Sequence, residues 1–151
     1  MFDLDLNNKK TVIIGLGNIY RKDDSVGLYI VKNIKKRDNF LIFSNENALL
    51  EDYIDSIIKF SPEKIIIFDT ADFKGAPGEI KKITIDDLNN IKNYSTHTIP
   101  IYFIFNYIKE YLPKIEIIIY AIQPKDIGYG IDINNDVLIA ADKLIKIIND
   151  I

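Results

Sequence analysis

The chain has 151 residues, 48% of them hydrophobic and 27% charged, with a formal net charge of −3 and no Cys. This length fits one folded domain, residues 1–151, and the composition argues against global disorder. The absence of Cys excludes disulfides, thiolate metal sites and a Cys nucleophile, and the acidic balance gives no basic face for nucleic acid.

The first half of the chain alternates strand-like and helix-like segments. A β-branched run at residues 11–14 predicts a buried strand, and apolar residues then recur at helical spacing over 26–34. A second strand is predicted at 40–43, followed by a second helical stripe at 49–58. Residues 64–69 predict a third strand, which is apolar through its middle and therefore covered on both faces.

The second half continues this alternation after a turn at residues 75–78. Residues 79–85 predict a strand that follows its neighbour without a helix, so antiparallel pairing at a sheet edge is expected. The remaining segments are a short helical piece at 86–91, a helix starting at Pro100, a strand at 116–122 and a closing helix at 137–148.

This order of elements predicts an α/β fold: a three-layer sandwich with a mainly parallel, twisted sheet and helices on both faces. In such folds, sites form outside the carboxyl ends of the strands. That edge receives Gly15-Leu-Gly17-Asn18 with Asp23-Asp24 from the first strand, and Asp69 with Asp72 from the third. It also receives the only histidine, His97, ahead of the third helix, and Gln123-Pro124 from the last strand.

Each of these features also has a structural interpretation. The glycine pair lacks the third glycine of a dinucleotide fingerprint, because Tyr20 stands there, and two acids at a helix N-terminus would repel a pyrophosphate. The glycines can serve a tight turn that needs special backbone angles. One of Asp23 and Asp24 can cap the helix, and Asp72 is the weaker candidate because it can be a solvated loop acid.

Two carboxylates and one imidazole can together hold Zn, Ni, Mn or Fe with coordination positions left open. A Ser–His–Asp hydrolase would need a Ser on a strand-to-helix elbow, and the sequence offers none. The first ten residues carry acids where a secretory signal has bases, and no apolar run approaches the roughly 20 residues of a spanning helix. We therefore expect a cytoplasmic protein with no membrane partner.

Four motifs in series resemble those of a known family. They are Gly15-x-Gly17-Asn18 with Asp23-Asp24-x-x-Gly27, Phe68-Asp69-Thr-Ala-Asp72 with Ala76-Pro77-Gly78-Glu79, Ser95-Thr96-His97-x-x-Pro100, and Ile122-Gln123-Pro124. Their order and spacing, over essentially the whole chain, are similar to those of the hydrogenase maturation endopeptidases. These are the nickel-dependent processing proteases of the NiFe-hydrogenase large subunit.

The resemblance implies a twisted sheet sandwiched by helices and an aspartic-type endopeptidase without a Ser or Cys nucleophile. It implies removal of a C-terminal extension from the NiFe-hydrogenase large-subunit precursor after nickel insertion, with the nickel supplied by that precursor. Position by position, the family's metal-contacting residues fall on Asp24, Asp69 and His97, which are the expected catalytic and metal residues.

The chain departs from the family after the second strand, where a Gly-rich turn is usual and Ser44-Asn45-Glu46-Asn47 stands instead. Asn tolerates left-handed backbone angles, so the turn can survive, and Glu46 adds a charge near the predicted cleft. Two alternatives to the processing endopeptidase remain open. One is a non-catalytic nucleotide- or metal-binding module with a Rossmann-like sheet, and the other is a general metallohydrolase that keeps its own metal.

Overall fold

The computed structural model describes residues 4–87 and 98–151, with the side chains of residues 98–100 left aside. Five strands form one sheet: β1 Thr11–Gly15, β2 Phe40–Ser44, β3 Lys64–Thr70, β4 Ile80–Thr84 and β5 Glu116–Ile122. The α-helices are α1 Val26–Lys32, α2 Ile54–Phe60, α3 Thr98–Tyr111 and α4 Asn135–Asn149. Single 3₁₀ turns, Lys22–Ser25 and Leu50–Tyr53, lead into α1 and α2.

The strand order is β2-β1-β3-β5-β4, and the pairs are parallel except for β4 with β5. β4 pairs antiparallel with β5 at the edge of the sheet, so the predicted antiparallel edge strand is confirmed. The short connection from β3 to β4 cannot hold a crossover, so β4 starts near the carboxyl end of β3 and runs opposite to the other strands. From β1 the chain moves outward to β2 and then returns to β3 on the other side of β1. The carboxyl ends of β1 and β3 therefore flank the switch point of the sheet, where such folds form a crevice.

The two faces of the sheet are covered by different helices, which confirms the three-layer α/β sandwich. In β3, Ile65 and Ile67 pack into the cluster shared with α2 and α3, whereas Ile66 and Phe68 pack into the cluster shared with α1 and α4. All four side chains are fully buried, which explains why this strand is apolar on both faces. Burying one such side chain contributes roughly 1.5–3 kcal/mol.

Local signals move several predicted boundaries by one or two residues. Helix α3 begins at Thr98 rather than at Pro100. Helix α4 begins at Asn135, two residues before the apolar stripe, because the Asn134 side chain caps it by accepting from the backbone N–H of Asp136 at 3.0 Å. The short helical piece expected at residues 86–91 lies largely outside the described residues. Across residues 4–87 and 98–151, no helix is long and apolar enough to span a membrane.

Candidate active site

Three glycines let the segment after β1 press against the strand ends. A Cβ on Gly17 would lie 2.0 Å from the carbonyl oxygen of Asp24, and one on Gly15 would lie 2.3 Å from that of Gly27. A Cβ on Gly27 would meet the carbonyl oxygen of Phe68 at 2.4 Å. The expectation that the glycine pair supplies special backbone angles is wrong, since neither Gly15 nor Gly17 has a positive φ. The space that they leave is filled by the protein's own backbone rather than by a pyrophosphate.

The end of β3 extends past β1. Gly15 is the last residue of β1 and pairs with Phe68, so Asp69 and Thr70 continue beyond it while still paired with β5. Both residues are buried, at 2% and 5% exposure. The turn carrying Asp24 packs across this overhang, and the Thr70 hydroxyl donates a hydrogen bond to Asp24 Oδ1 at 2.6 Å. The backbone N–H of Thr70 donates to Asp69 Oδ1 at 2.9 Å, so Thr70 contacts both predicted site carboxylates.

The two adjacent acids of the turn have different environments. Asp23 is 1% exposed, and its carboxylate accepts from the backbone N–H groups of Lys125 at 2.8 Å, Asp126 at 2.9 Å and Asn134 at 2.6 Å. The interpretation of Asp23 or Asp24 as a helix cap is wrong, because no side chain caps the 3₁₀ turn or α1. Asp23 instead anchors the loop that follows β5, whereas Asp24 is half-buried at the edge of the crevice.

The Gln123-Pro124 motif holds the loop after β3. The Gln123 side chain is 6% exposed, and its Oε1 accepts from the backbone N–H groups of Phe73 at 2.9 Å and Gly75 at 3.1 Å. Its Nε2 donates to Asp72 Oδ1 at 3.1 Å. The backbone N–H of Lys74, followed by the Gln123 amide and the Lys74 ammonium, lowers the pKa of Asp72 below its usual value. Asp72 thus has a structural role in this loop.

The turn after β2 does not use left-handed angles, because neither Asn45 nor Asn47 has a positive φ. The Asn45 side chain instead accepts from the backbone N–H of Gly17 at 3.0 Å, which ties the β2 end to the β1 loop. The expectation that Asn supports this turn by adopting left-handed backbone angles is therefore wrong.

Glu46 lines two adjoining cavities of about 340 and 410 Å³ beside the β1 loop. Both cavities are also lined by Ile19, Tyr20 and Leu28. The predicted charge near a cleft is thus present, on a concave and partly apolar surface next to the strand ends.

Two of the three predicted site residues, Asp24 and Asp69, are hydrogen-bonded to the same residue, Thr70. The third, His97, lies outside the described residues. Among the residues that the structure does describe, no three His, Cys, Asp or Glu side chains are grouped to hold a metal ion. The catalytic and metal roles of Asp24, Asp69 and His97 therefore stay predictions. The contact of Thr70 with both carboxylates was not predicted from the sequence, where the available signal was a hydroxyl directly after a buried strand-end carboxylate.

Comparison with known proteins points to one family. A family model described as hydrogenase maturation protease matches residues 28–151. A putative hydrogenase maturation protease of Methanocaldococcus jannaschii is 35% identical, and the alignment covers 96% of this chain and 89% of that protein. The hydrogenase 3 maturation protease of Escherichia coli is 27% identical over 78% of this chain and 75% of its own length.

The fold agrees with this comparison. The crystal structure of a NiFe-hydrogenase maturation protease from Thermococcus kodakarensis superimposes with a TM-score of 0.79 at 27% identity, covering 95% of this chain and 93% of that one. The family match begins at Leu28, just after the turn that carries Asp24, but the M. jannaschii alignment spans nearly the whole chain. The chain therefore belongs to the hydrogenase maturation protease family, and is a peptidase of that family.

Proposed function

We propose that this protein removes the C-terminal extension of a NiFe-hydrogenase large-subunit precursor once nickel has been inserted. Asp24, Asp69 and His97 contact the nickel that the precursor brings. The observation that carries the proposal is the meeting of Asp24 and Asp69 at Thr70, in the switch-point crevice of a hydrogenase maturation protease fold.

The donor set fits a metal that arrives with the substrate. Carboxylate oxygens and an imidazole nitrogen suit first-row transition metals, but three such donors without a thiolate leave coordination positions open. Nickel already ligated by the precursor can fill those positions with its own ligands. The metal then bridges enzyme and substrate and places the peptide bond that joins the C-terminal extension to the large subunit within reach of the enzyme.

The reaction does not require a Ser or Cys nucleophile of the enzyme. The chain has no Cys, and none of its Ser residues occupies a nucleophile elbow in the sequence. A carboxylate can act as a general base toward water, which agrees with a site built from two Asp residues.

The test is to incubate purified protein with nickel-loaded precursor and follow the intact mass of the large subunit. We expect loss of the C-terminal peptide, unchanged by a fluorophosphonate or by iodoacetamide, and abolished in Asp69→Asn. Stoichiometric labelling of a Ser by the fluorophosphonate with loss of cleavage would overturn the assigned chemistry. An unchanged precursor mass after prolonged incubation would overturn the function itself.

A further inference from the structure

Thr70 is the last residue of β3 and directs its side chain to the opposite face of the sheet from Asp69. Side chains alternate along a strand, so Thr70 shares a face with Ile66 and Phe68, which pack toward α1 and α4. Asp69 shares the other face with Ile65 and Ile67, which pack toward α2 and α3. The carboxylates of Asp24 and Asp69 thus belong to opposite faces of the sheet, and Thr70 is the residue hydrogen-bonded to both of them.

The hydrogen bond to Asp24 has the geometry of a strong contact. A separation of 2.6 Å between Thr70 Oγ1 and Asp24 Oδ1 falls in the range of hydroxyl-to-carboxylate bonds, which are shorter and stronger than neutral ones. A Thr hydroxyl has one proton to donate, and here Asp24 receives it. In the parts of the chain that the structure describes, no other side chain hydrogen-bonds to the Asp24 carboxylate.

This contact distinguishes the two oxygens of the Asp24 carboxylate. Oδ1 accepts from Thr70, so Oδ2 is the oxygen that this contact leaves available to another partner. The β-branched Thr70 side chain is stiff and buried at the end of β3, where it is still paired with β5, which makes it a rigid support for a carboxylate on a short turn. Partners that orient a ligand in this way typically change metal affinity or activity about 10–100-fold when they are removed.

We propose that Thr70 is a positioning residue, whose hydroxyl orients Asp24 toward the nickel of the precursor while its backbone N–H holds Asp69. This inference rests on the proposed function for the identity of the substrate. Thr70 acts through the two carboxylates and does not itself contact the reacting bond.

Three variants separate positioning from general structure. Thr70→Val removes the hydroxyl at nearly constant shape, and Thr70→Ser keeps the hydroxyl while losing the methyl group. Thr84→Val is the matched control, because Thr84 Oγ1 donates to Asp87 Oδ2 at 2.8 Å on the edge strand, away from the site. It removes a similar Thr–Asp hydrogen bond at a position with no expected role in binding Ni²⁺ or precursor.

The first readout is the Kd of the untagged protein for Ni²⁺ alone, measured by isothermal titration calorimetry. We expect Thr70→Val to raise it about 10-fold or more, with Thr70→Ser and Thr84→Val close to the original protein. Adding Thr70→Val to Asp24→Asn should change the Kd far less than adding it to the original protein, because the effect passes through Asp24. Equal Kd values for the original protein and Thr70→Val would overturn the inference.

The second readout is cleavage of nickel-loaded precursor, with kcat and KM determined separately. Thr70→Val should lower kcat/KM about 10–100-fold, and Thr70→Ser should restore most of it. If the original protein does not cleave the precursor, the proposed function fails while the Ni²⁺ titration still tests Thr70. If Thr70→Val is too unstable to assay, Thr70→Ser, which keeps the hydroxyl, is compared with Thr70→Ala, which lacks it. Equal Kd and equal kcat/KM in these two variants would overturn the inference.

Discussion

At the residue scale, the neighbouring carboxylates of Asp23 and Asp24 have different environments. Asp23 is buried and accepts three backbone hydrogen bonds from the loop after β5. Asp24 is half-buried, accepts one hydrogen bond from Thr70 and lies at the crevice. We therefore expect Asp23 to contribute stability and Asp24 to contact the substrate, so substitution of each by Asn should give opposite phenotypes.

Replacing Asp24 by Asn should abolish cleavage without harming the fold. The Asn side-chain oxygen can still accept from the Thr70 hydroxyl, so the local structure survives and only the charge offered to the metal is lost. We expect a loss of roughly 100-fold or more in processing rate, with the melting temperature nearly unchanged. Mass spectrometry of the precursor and a thermal melt measure the two effects.

Asp72→Asn is the matched control, because Asp72 also follows β3 but is hydrogen-bonded to Lys74 of its own loop and to Gln123. It should process precursor at close to the original rate. Normal processing by Asp24→Asn together with a lower melting temperature would instead make Asp24 a purely structural residue.

Replacing Asp23 by Asn should destabilise the protein. The amide nitrogen of Asn is a donor, so it cannot replace a carboxylate oxygen that accepts from the backbone N–H groups of Lys125 and Asp126 or from that of Asn134. We expect unfolding to become easier by roughly 2–3 kcal/mol, measured by urea denaturation. A free energy of unfolding equal to that of the original protein would mean that this buried carboxylate does not anchor the loop.

At the element scale, the site depends on two features. The strands end at different levels, and glycines let the turn after β1 pack against the strand ends at backbone contact. β3 runs two residues past β1, which brings Asp69 and Thr70 beyond the β1 end, where the turn carrying Asp24 crosses. The glycines of β1 and its loop permit that crossing at backbone contact. The position of Asp24 is therefore set by backbone packing as well as by its own hydrogen bond.

Gly17→Ala should displace this turn. The added Cβ would lie 2.0 Å from the carbonyl oxygen of Asp24, a distance that only a shift of the backbone can relieve. We expect processing to fall about 10-fold or more, because displacement by an ångström can cost a factor of about 100, and we expect some loss of stability. Precursor digestion and a thermal melt provide the measurements.

Gly128→Ala is the control for this change, since the one close atom there belongs to the exposed and movable side chain of Asp126. It should alter stability by less than about 0.5 kcal/mol. If Gly17→Ala behaves like Gly128→Ala, close backbone packing does not position Asp24.

At the scale of the whole molecule, the alternation of apolar segments was enough to predict the sandwich, the edge strand and the edge of the sheet at which the acids gather. The apolar run at 64–69 and the absence of a helix before 79–85 carried that information. The roles of the glycines could not be predicted, because they depend on how the folded turn packs against the strand ends. Those of Asp23 and Gln123 depend on backbone groups distant in sequence. Asp23, for example, binds residues more than 100 positions away.

The proposed link between enzyme and substrate is the nickel in the precursor. Its most direct test is a side-by-side digestion of nickel-free and nickel-loaded precursor by the unmodified protein, with mass spectrometry of the released tail. We expect rapid cleavage of the loaded form and cleavage at least about 100-fold slower without nickel, because the metal bridge that positions the peptide bond is then missing. Equal cleavage of both forms would contradict the claim and would favour an enzyme that carries its own metal.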